Sequence, residues 1–409
     1  MRAGTEDGTG ASADGESAAI EFQNVDILFA RESGRAGRRA TAAAVARLDA
    51  GATRAQISEE LGVIVGVAGA SLSVSRGEIS VLMGLSGSGK STLLRAANGL
   101  NPVTRGRVLI RDGDSGIDVA SCDAAQLRRV RRERVAMVFQ QFGLLPWRTV
   151  RENVGFGLEL RGERATERRS VVDEKLELVG LTQWAERYVG ELSGGMQQRV
   201  GLARAFATDA KILLMDAPFS ALAPLIRGKL QDALLALQER VKKTILFVSH
   251  DMDEALRLGD RITILKNGRI VQSGTAEDIV LSPADEYVAE FVRHMNPLDV
   301  LTGSMIMCGR ADWHASADGL WLDASRRYCA VLNARDELLE VRLDGASPAA
   351  LAVVPATLSL QEIIHLRQST GHPVLLAENG RILGVCGETE IIRALAGNRR
   401  APRAGDPAP

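Results

Sequence analysis

The sequence has few cysteines and no excess of charge of either sign. Its four cysteines, Cys122, Cys308, Cys329 and Cys386, are far apart in 409 residues and form no Cys-x-x-Cys pair. This spacing indicates neither a zinc site nor a disulfide framework. We therefore expect the protein to reside in a reducing cytoplasm. Lys and Arg total 50 against 51 for Asp and Glu, so the net charge of −1 gives no overall attraction to nucleic acid. We therefore expect no nucleic-acid partner.

Long apolar runs are also missing. The longest uncharged stretch extends from about Leu61 to Ser75 and is interrupted by glycines, whereas a membrane-spanning helix needs roughly 20 apolar residues. Residues 1–18 are small, polar and acidic, without the apolar centre of a secretion signal, and we expect them to be disordered. We expect the same of the tail at 398–409. Any membrane role of this chain would therefore act through another protein.

The sequence does contain short apolar runs separated by helical stretches. Ile212–Met215 and Thr244–Val248 each end next to a polar residue, as buried parallel strands often do. Residues 124–134 and 164–179 have the periodicity of amphipathic helices. This alternation predicts an α/β fold. Near the start of the chain, residues 34–60 are rich in Ala and Arg and predict one or two inserted helices.

A phosphate-binding pattern follows one of the predicted strands. Gly84–Ser91, with the sequence GLSGSGKS, matches G-x-x-x-x-G-K-[ST]. The glycines let the backbone close around a phosphate, and the helix that follows adds the positive end of its dipole. Lys90 can reach the β- and γ-phosphates of ATP, and Ser91 can ligate Mg²⁺. The residues expected to contact ATP here are Gly84, Ser86, Gly87, Ser88, Gly89, Lys90, Ser91 and Thr92.

A second pattern, LSGGMQQR at Leu192–Arg199, opens another helix with a serine and two glycines. The free amides at that helix N-terminus can hold an anion, and the alternative is an ordinary Ser-capped helix. Downstream of a P-loop, this segment resembles the signature motif of ABC ATPases. In that family the motif holds the γ-phosphate of ATP bound by the opposite subunit, which implies a homodimer. The resemblance adds Ser193, Gly194, Gly195 and Gln197 to the ATP-contacting residues.

Further residues fall in the order of that family. Gln140 resembles the Q-loop glutamine, Asp216 the Walker B aspartate and His250 the switch histidine. Phe29 stands where the family places an aromatic ring that stacks on adenine, and core packing is the alternative for it. The resemblance implies catalytic roles for His250, Gln140 and Asp216. It implies Mg²⁺ ligation by Ser91, Gln140 and Asp216.

The resemblance can be narrowed within the family. The insertion at 34–60 is similar to the importers of quaternary amines such as glycine betaine, proline betaine or choline, and Phe142–Trp147 is closest to the choline type. The implied fold is α/β, a P-loop NTPase of the ABC ATPase type with a helical subdomain over residues 19–298. The implied partners are an integral-membrane permease and, indirectly, a periplasmic or extracellular substrate-binding protein. The implied location is the cytoplasmic face of the inner membrane.

The apolar run Phe142–Trp147 directly follows the expected Q-loop glutamine. An exposed apolar cluster commonly marks an interface, so we expect residues 140–147 to dock the permease. Packing of this run into the core is the alternative.

The C-terminal region is expected to form a small α+β domain over residues 299–397. In this branch the chain ends in CBS-type regulatory modules, and residues 371–395 resemble the second half of one. A degenerate CBS-like regulatory domain is therefore implied, and a dimerising or packing domain is the alternative. The predicted order is a strand at Pro373–Leu376, a turn at Glu378–Gly380, a strand at Ile382–Val385 and a helix at Thr389–Leu395.

The sequence departs from the family at two acidic positions. The family has a glutamate directly after the Walker B aspartate, which orients and polarises the attacking water, and this chain has Ala217 there. The family also has an aspartate in the D-loop, and this chain has Ala223. A methyl group accepts no proton, and a general base typically contributes about 10² to 10⁴ in rate. ATP binding is therefore expected to persist, whereas efficient hydrolysis by this chain is in question.

The sequence leaves four functions open. The first is an ATPase that energises a quaternary-amine importer, and the second is a catalytically silent subunit that binds ATP and dimerises. A third is an ABC protein of translation or repair, but those proteins carry tandem ATPase units or long coiled coils. The fourth is a sulfonate- or nitrate-type importer, which would lack the insertion and the C-terminal domain.

Overall fold

The computed structural model describes residues 18–395, except 113–114, 294–297, 299–300, 316–318, 324–325, 334–337, 344–346 and 349–350. The disorder expected for the two ends falls on residues that lie outside this description, apart from Ala18, which already belongs to the first strand. The described chain divides into two compact units, one up to Ala276 and one from Glu277. The division comes earlier in the chain than the boundary at 298 that the sequence predicts, because the helices that follow Ala276 group with the second unit.

The first unit has an α/β architecture. Its strands are β1 (Ala18–Ala30), β2 (Val63–Ser75), β3 (Ile79–Met83), β4 (Arg105–Asp112), β5 (Ser115–Asp118), β6 (Val135–Val138), β7 (Ile212–Asp216), β8 (Thr244–Val248), β9 (Arg261–Lys266) and β10 (Arg269–Gly274). Its helices are α1 (Gly34–Asp49), α2 (Arg54–Leu61), α3 (Lys90–Ala96), α4 (Ala124–Arg129), α5 (Val150–Leu160), α6 (Ala165–Leu178), α7 (Gly194–Ala207), α8 (Pro224–Val241) and α9 (Met252–Leu258). A π-helical turn, Val130–Arg134, continues α4.

Two sheets form the body of this unit. A six-stranded sheet has the order β10-β9-β3-β8-β7-β6 and is parallel from β9 to β6. An antiparallel sheet has the order β2-β1-β4-β5. One apolar core joins the two sheets, with Phe22 and Ile110 from the antiparallel sheet, Leu214 and Leu246 from the parallel sheet, and Leu93 from α3. The predicted α/β fold is confirmed, and the parallel sheet places the ends of several strands along one edge.

The predicted insertion forms two helices, α1 and α2, between β1 and β2. They have a small apolar core of their own, in which Ala44, Leu48 and Ile57 pack with Leu28 and Val65 of the flanking strands. Helix α2 begins with a reciprocal capping box and ends at a glycine in the left-handed conformation. These local signals fix where the insertion starts and stops, and its core attaches it to the sheet.

A β-hairpin connects the last two strands of the first unit. Strands β9 and β10 pair antiparallel. The turn residues Asn267 and Gly268 have φ of 51° and 79°, as a two-residue turn with positive φ requires, and Asn-Gly is the preferred pair for it. This turn lies against the phosphate-binding loop described below.

The second unit contains two sheets. Its helices are α10 (Ala276–Leu281), whose first residue lies at the division, α11 (Glu286–Arg293), α12 (Gly303–Ile306), α13 (Leu360–Thr370) and α14 (Glu388–Leu395). Its strands are β11 (Cys308–Gly309), β12 (His314–Ala315), β13 (Leu320–Trp321), β14 (Tyr328–Leu332), β15 (Leu338–Leu343), β16 (Ser347–Pro348), β17 (Val353–Pro355), β18 (Val374–Glu378) and β19 (Arg381–Cys386). The sheet orders are β11-β19-β18-β17 and β12-β13-β14-β15-β16.

The strand, turn, strand and helix predicted near the C-terminus are confirmed. Strands β18 and β19 pair antiparallel around a turn at Asn379 and Gly380, whose φ values are 49° and 80°. Helix α14 follows directly. The structure adds β17, which pairs parallel with β18, and α13 between them. Among the helices that the structure describes, none is long and apolar enough to cross a bilayer.

Helix α8 begins without a side-chain cap, and this gives a first prediction. Its N-cap residue is the exposed Ala223, at φ −62° and ψ 147°, followed by Pro224 in the first turn. An aspartate there could accept a hydrogen bond from the first turn, so Ala223→Asp should raise the free energy of unfolding by about 1 kcal/mol. Urea unfolding without nucleotide measures the change.

The matched control is the same substitution inside the same helix. Ala236 is exposed in the middle of α8, where aspartate is a poorer helix former than alanine by about 0.5 kcal/mol. Ala236→Asp should therefore lower the free energy of unfolding. Shifts of the same sign in the two variants would show that capping is not the cause.

Candidate functional site

The expected phosphate-binding loop connects β3 to α3 and depends on glycine at fixed positions. Gly84, Gly87 and Gly89 have φ of 140°, 79° and 103°, which side chains rarely tolerate. A Cβ atom on Gly84 would lie 2.2 Å from the carbonyl oxygen of Leu265. One on Gly89 would lie 2.5 Å from the carbonyl oxygen of Gly66. Any other residue at these two positions would force the neighbouring backbone to move.

Lys90 donates hydrogen bonds to the backbone of the loop that precedes it. Its Nζ donates to the carbonyl oxygens of Gly84 at 2.7 Å and Leu85 at 2.9 Å, and it is 3.4 Å from the Ser88 hydroxyl. Burial lowers the pKa of Lys90, and the charge of Asp216 opposes that effect. The ammonium group is thus largely desolvated and held at the loop, where it could accept an anionic ligand.

Asp216 ends β7 and is completely buried. The hydroxyl of Ser91 donates to its Oδ1 at 2.7 Å. Arg95 donates to its Oδ2 from Nε at 3.0 Å and from Nη2 at 2.7 Å. Sequence reasoning missed Arg95, although its place four residues after Ser91 puts both side chains on one face of α3.

The oxygen atoms of Ser91 and Asp216 fit the expected Mg²⁺. Hydroxyl and carboxylate oxygens are ligands that this ion accepts, and it takes its remaining ligands from water and phosphate rather than from a protein cage. Within the described ranges, no cluster of three or more His, Cys, Asp or Glu side chains could hold a metal without such help.

Two more of the expected site residues lie at the same edge of the parallel sheet. Gln140 follows the end of β6, and His250 follows the end of β8. Both are exposed. Because β6, β7, β8 and β3 run parallel as neighbours, their carboxyl ends meet at the edge that carries the phosphate-binding loop. The fold therefore places Gln140, Asp216 and His250 along the sheet edge that carries Gly84–Ser91. The sequence does not show this, because apolar runs do not indicate which strands are neighbours.

The expected signature segment begins α7. Ser193 is its N-cap, and the hydroxyl accepts a hydrogen bond from the backbone N–H of Met196 at 3.4 Å. Ser193 and Gly194 are exposed, so the helix N-terminus is open to a ligand. The side-chain amide of Gln197 instead donates to the carbonyl oxygens of Val189 at 3.0 Å and Leu192 at 3.1 Å. Gln197 thus braces the turn before α7, and its contact with ATP stays a prediction.

Comparison with known proteins shows the family of this chain. The family described as ABC transporter matches residues 67–220. The chain is 39% identical over 400 residues to the glycine betaine/carnitine transport ATP-binding protein GbuA of Listeria monocytogenes, covering 93% of this chain and 98% of that protein. The chain belongs to the ABC transporter family.

Two further comparisons support this assignment. Over 400 residues the chain is 40% identical to the glycine betaine/proline betaine transport system ATP-binding protein ProV of Escherichia coli, covering 92% of this chain and 97% of ProV. Among solved structures it is similar to the ATP-binding cassette MJ0796, a dimer in a post-hydrolysis state bound to ADP and Pi. That match has a TM-score of 0.52 and 31% identity, and it covers 63% of this chain and 98% of the other.

In this ABC ATPase, Phe29 lies close to the phosphate-binding loop. The residue is half-buried near the end of β1. A Cβ atom built on Gly66 would be 3.0 Å from both Phe29 Cε2 and Thr92 Cγ2, so the ring and the start of α3 approach the same point. Phe29 also packs against the core. Its stacking on adenine stays a prediction, and this placement is compatible with it.

Ala217 stands at the position where the family has its glutamate, and its backbone is in a left-handed conformation. Its φ is 49°, and its N–H donates to the carbonyl oxygen of Val248 at 3.2 Å. Gln198, completely buried on α7, donates to the Ala217 carbonyl at 3.1 Å and accepts from the N–H of Ala221 at 3.0 Å. The signature helix therefore holds the loop that follows Asp216. Nothing in the sequence distinguished Gln198 from its neighbours.

The apolar run after Gln140 is held in a defined shape rather than loose. Phe142 has a φ of 61°, and Arg204 donates to the carbonyl oxygens of Phe142 at 3.0 Å and Gly143 at 2.7 Å. The buried amide of Asn153 accepts from the N–H of Leu145 at 2.8 Å and donates to its carbonyl at 3.1 Å. Trp147 remains 70% exposed.

Proposed function

We propose that this chain is the ATP-binding subunit that energises import of a quaternary amine, such as choline or glycine betaine, through a membrane permease. Its similarity to GbuA and ProV over 400 residues carries the proposal, because it covers more than nine tenths of this chain and therefore extends through both units. Both relatives are named as transport proteins for glycine betaine, GbuA together with carnitine and ProV together with proline betaine. Association with a permease would place the chain on the cytoplasmic face of the inner membrane, with a substrate-binding protein acting on the opposite side.

The proposed ATP site uses the loop and the parallel-sheet edge described above. The amides of Gly84–Thr92 and the ammonium of Lys90 would hold the phosphates, and Phe29 would stack on adenine. Ser91, Asp216 and Gln140 would hold Mg²⁺, which would supply positive charge to neutralise the phosphates. His250 would contact the γ-phosphate.

A second copy of the chain would complete each ATP site. The exposed N-terminus of α7, with Ser193, Gly194 and Gly195, presents unpaired amides suited to a phosphate. The similar cassette MJ0796 is dimeric in its ADP-bound state, which supports a homodimer for this chain.

We also propose that Ala217 slows hydrolysis, so a silent ATP-binding subunit is the second candidate function. The methyl group of Ala217 has no atom that could orient water or accept its proton. We expect Ala217→Glu to raise the steady-state rate of ATP hydrolysis by about a hundredfold, because the new carboxylate can accept a proton from water. Phosphate release from the purified full-length chain measures the rate.

Lys90 provides the control for that experiment. Lys90→Ala removes the cation that the loop holds, and it should weaken Mg-ATP binding strongly in titration calorimetry. Combined with Ala217→Glu, it should also abolish the gain in hydrolysis. Rapid ATP hydrolysis by the chain without substitutions would contradict the proposal for Ala217. An Mg-ATP affinity that is the same in the Lys90→Ala variant would contradict the assignment of the ATP site.

We propose that residues 140–147 dock the permease. Trp147 is mostly exposed, while Arg204 and Asn153 fix the backbone on either side of Leu144. A rigid loop with an exposed aromatic side chain beside the phosphate-binding edge suits an interface that senses ATP. Core packing, the alternative, does not account for the exposure of Trp147.

The docking proposal predicts a specific crosslink. In an assembled transporter, a cysteine at Trp147 should form a crosslink to the permease with a short thiol-reactive reagent. A cysteine at exposed Leu339 of the second unit is the control for nonspecific capture. Crosslinks confined to this chain from position 147 would contradict docking at residues 140–147.

We propose that residues 299–397 are a degenerate CBS-like domain that regulates transport. The β17–α13–β18–β19–α14 order and the turn at Asn379–Gly380 support it. Ending the chain at Leu298 should leave transport active but independent of ionic strength or nucleotide, as measured by uptake into proteoliposomes. A shortened chain that fails to fold or dimerise would assign these residues a structural role instead.

A further inference from the structure

We propose that Arg54, on the α1–α2 insertion, is a positioning residue of the ATP site. It holds the peptide of Gly87 in the phosphate-binding loop and places a positive charge against that loop. The proposal deepens the ATP-binding function proposed above and rests on it. It assigns to the insertion a role in nucleotide affinity.

The contact follows from the way the phosphate-binding loop is built. A loop whose amides turn inward toward a phosphate turns its carbonyl oxygens outward, and these need donors of their own. The carbonyl of Ser88 accepts from the N–H of Gly268 at 2.9 Å. The carbonyl of Gly87 accepts from Nη1 of Arg54 at 3.1 Å. Arg54 thus supplies the one side-chain donor that reaches this loop from the insertion in the described part of the chain.

The insertion presents Arg54 from a fixed helix end. Thr53 and Gln56 form the capping box that makes Arg54 the first residue of α2. Ile57, one turn later, is completely buried in the core of the insertion. The far end of α2 is held by a hydrogen bond from the N–H of Arg31 to the carbonyl of Gly62 at 3.3 Å. The position of the Arg54 backbone is therefore set on both sides.

The charge of Arg54 has no acidic partner among the described residues, and its contact with Gly87 leaves most of its N–H donors unused. Burial also lowers its pKa, so the guanidinium has lost part of its hydration. By contrast, Arg47 on the same insertion pairs with Glu60 at 2.7 Å. A partly desolvated cation without a counter-ion, next to a loop built for phosphate, is stabilised when an anion arrives.

The test is Mg-ATP binding by the nucleotide-free full-length chain in titration calorimetry. Arg54→Ala should weaken binding by about tenfold, the effect of losing one charge-assisted contact. Arg54→Lys keeps the charge, so it should recover part of that loss. Arg47→Ala removes an arginine of equal size from the same insertion without touching the loop, and it should leave affinity within about twofold of the original chain.

A second measurement separates positioning from folding. The thermal unfolding midpoints of Arg54→Ala and Arg47→Ala without nucleotide should agree, because neither residue belongs to the core. Weakening by Arg54→Ala should shrink as salt is raised, since a charge effect is screened. Unchanged ATP affinity in Arg54→Ala, or an equal loss in Arg47→Ala, would overturn the proposal. Failure of the ATP site itself would be recognised separately, by unchanged affinity in Lys90→Ala.

Discussion

The candidate site depends on a backbone loop whose amide groups must face a bound anion. For the amides of the phosphate-binding loop to face an anion, its carbonyl oxygens must find donors elsewhere, because a buried carbonyl without one is costly. Lys90 supplies donors to Gly84 and Leu85, and the β9–β10 turn supplies one to Ser88. Glycine is required at positions 84 and 89 because the loop passes so close to the Leu265 and Gly66 carbonyls that a side chain would not fit. Loop, hairpin turn and helix α3 are one hydrogen-bonded unit.

The buried carboxylate of Asp216 also needs hydrogen-bond donors from the protein. A carboxylate removed from water needs compensating donors, and here Ser91 and Arg95, both on α3, provide them. The residue that ends a central strand is thereby tied to the helix that begins at the phosphate-binding loop. The hydroxyl of Ser91 and the carboxylate are already at hydrogen-bonding distance, so the proposed binding of Mg²⁺ and ATP would require little rearrangement of the backbone.

Ala217 has no carboxylate, but its backbone is held on both sides. Ala217 keeps its N–H bonded to β8 and its carbonyl bonded to Gln198, which in turn holds Ala221. A link from the signature helix to the loop after Asp216 therefore persists although the glutamate side chain is absent. This arrangement is compatible with the silent ATP-binding subunit that we propose as the second candidate function.

The sequence by itself determined the elements with strong local signals and the chemistry of the phosphate-binding loop. That loop is specified by its spaced glycines, by Lys90 and by the helix that follows, which are all close together in the sequence. The Asn267–Gly268 pair specifies the turn between β9 and β10. Short apolar runs and helical stretches were sufficient for the α/β class. The composition of residues 34–60 predicted one or two helices, and the structure decided on two.

The tertiary structure alone decided which distant residues meet. The pairing of Arg95 with Asp216, of Gln198 with Ala217 and of Arg54 with Gly87 depends on strand order and on helix orientation. None of these leaves a periodic pattern, because a single polar side chain has the same local appearance whether it faces solvent or a buried carbonyl. The division near Ala276 was missed for the same reason, since composition changes later in the chain than the contacts do. These features are set by packing between residues that are distant in the chain. A pattern along the sequence does not show which distant residues will pack together.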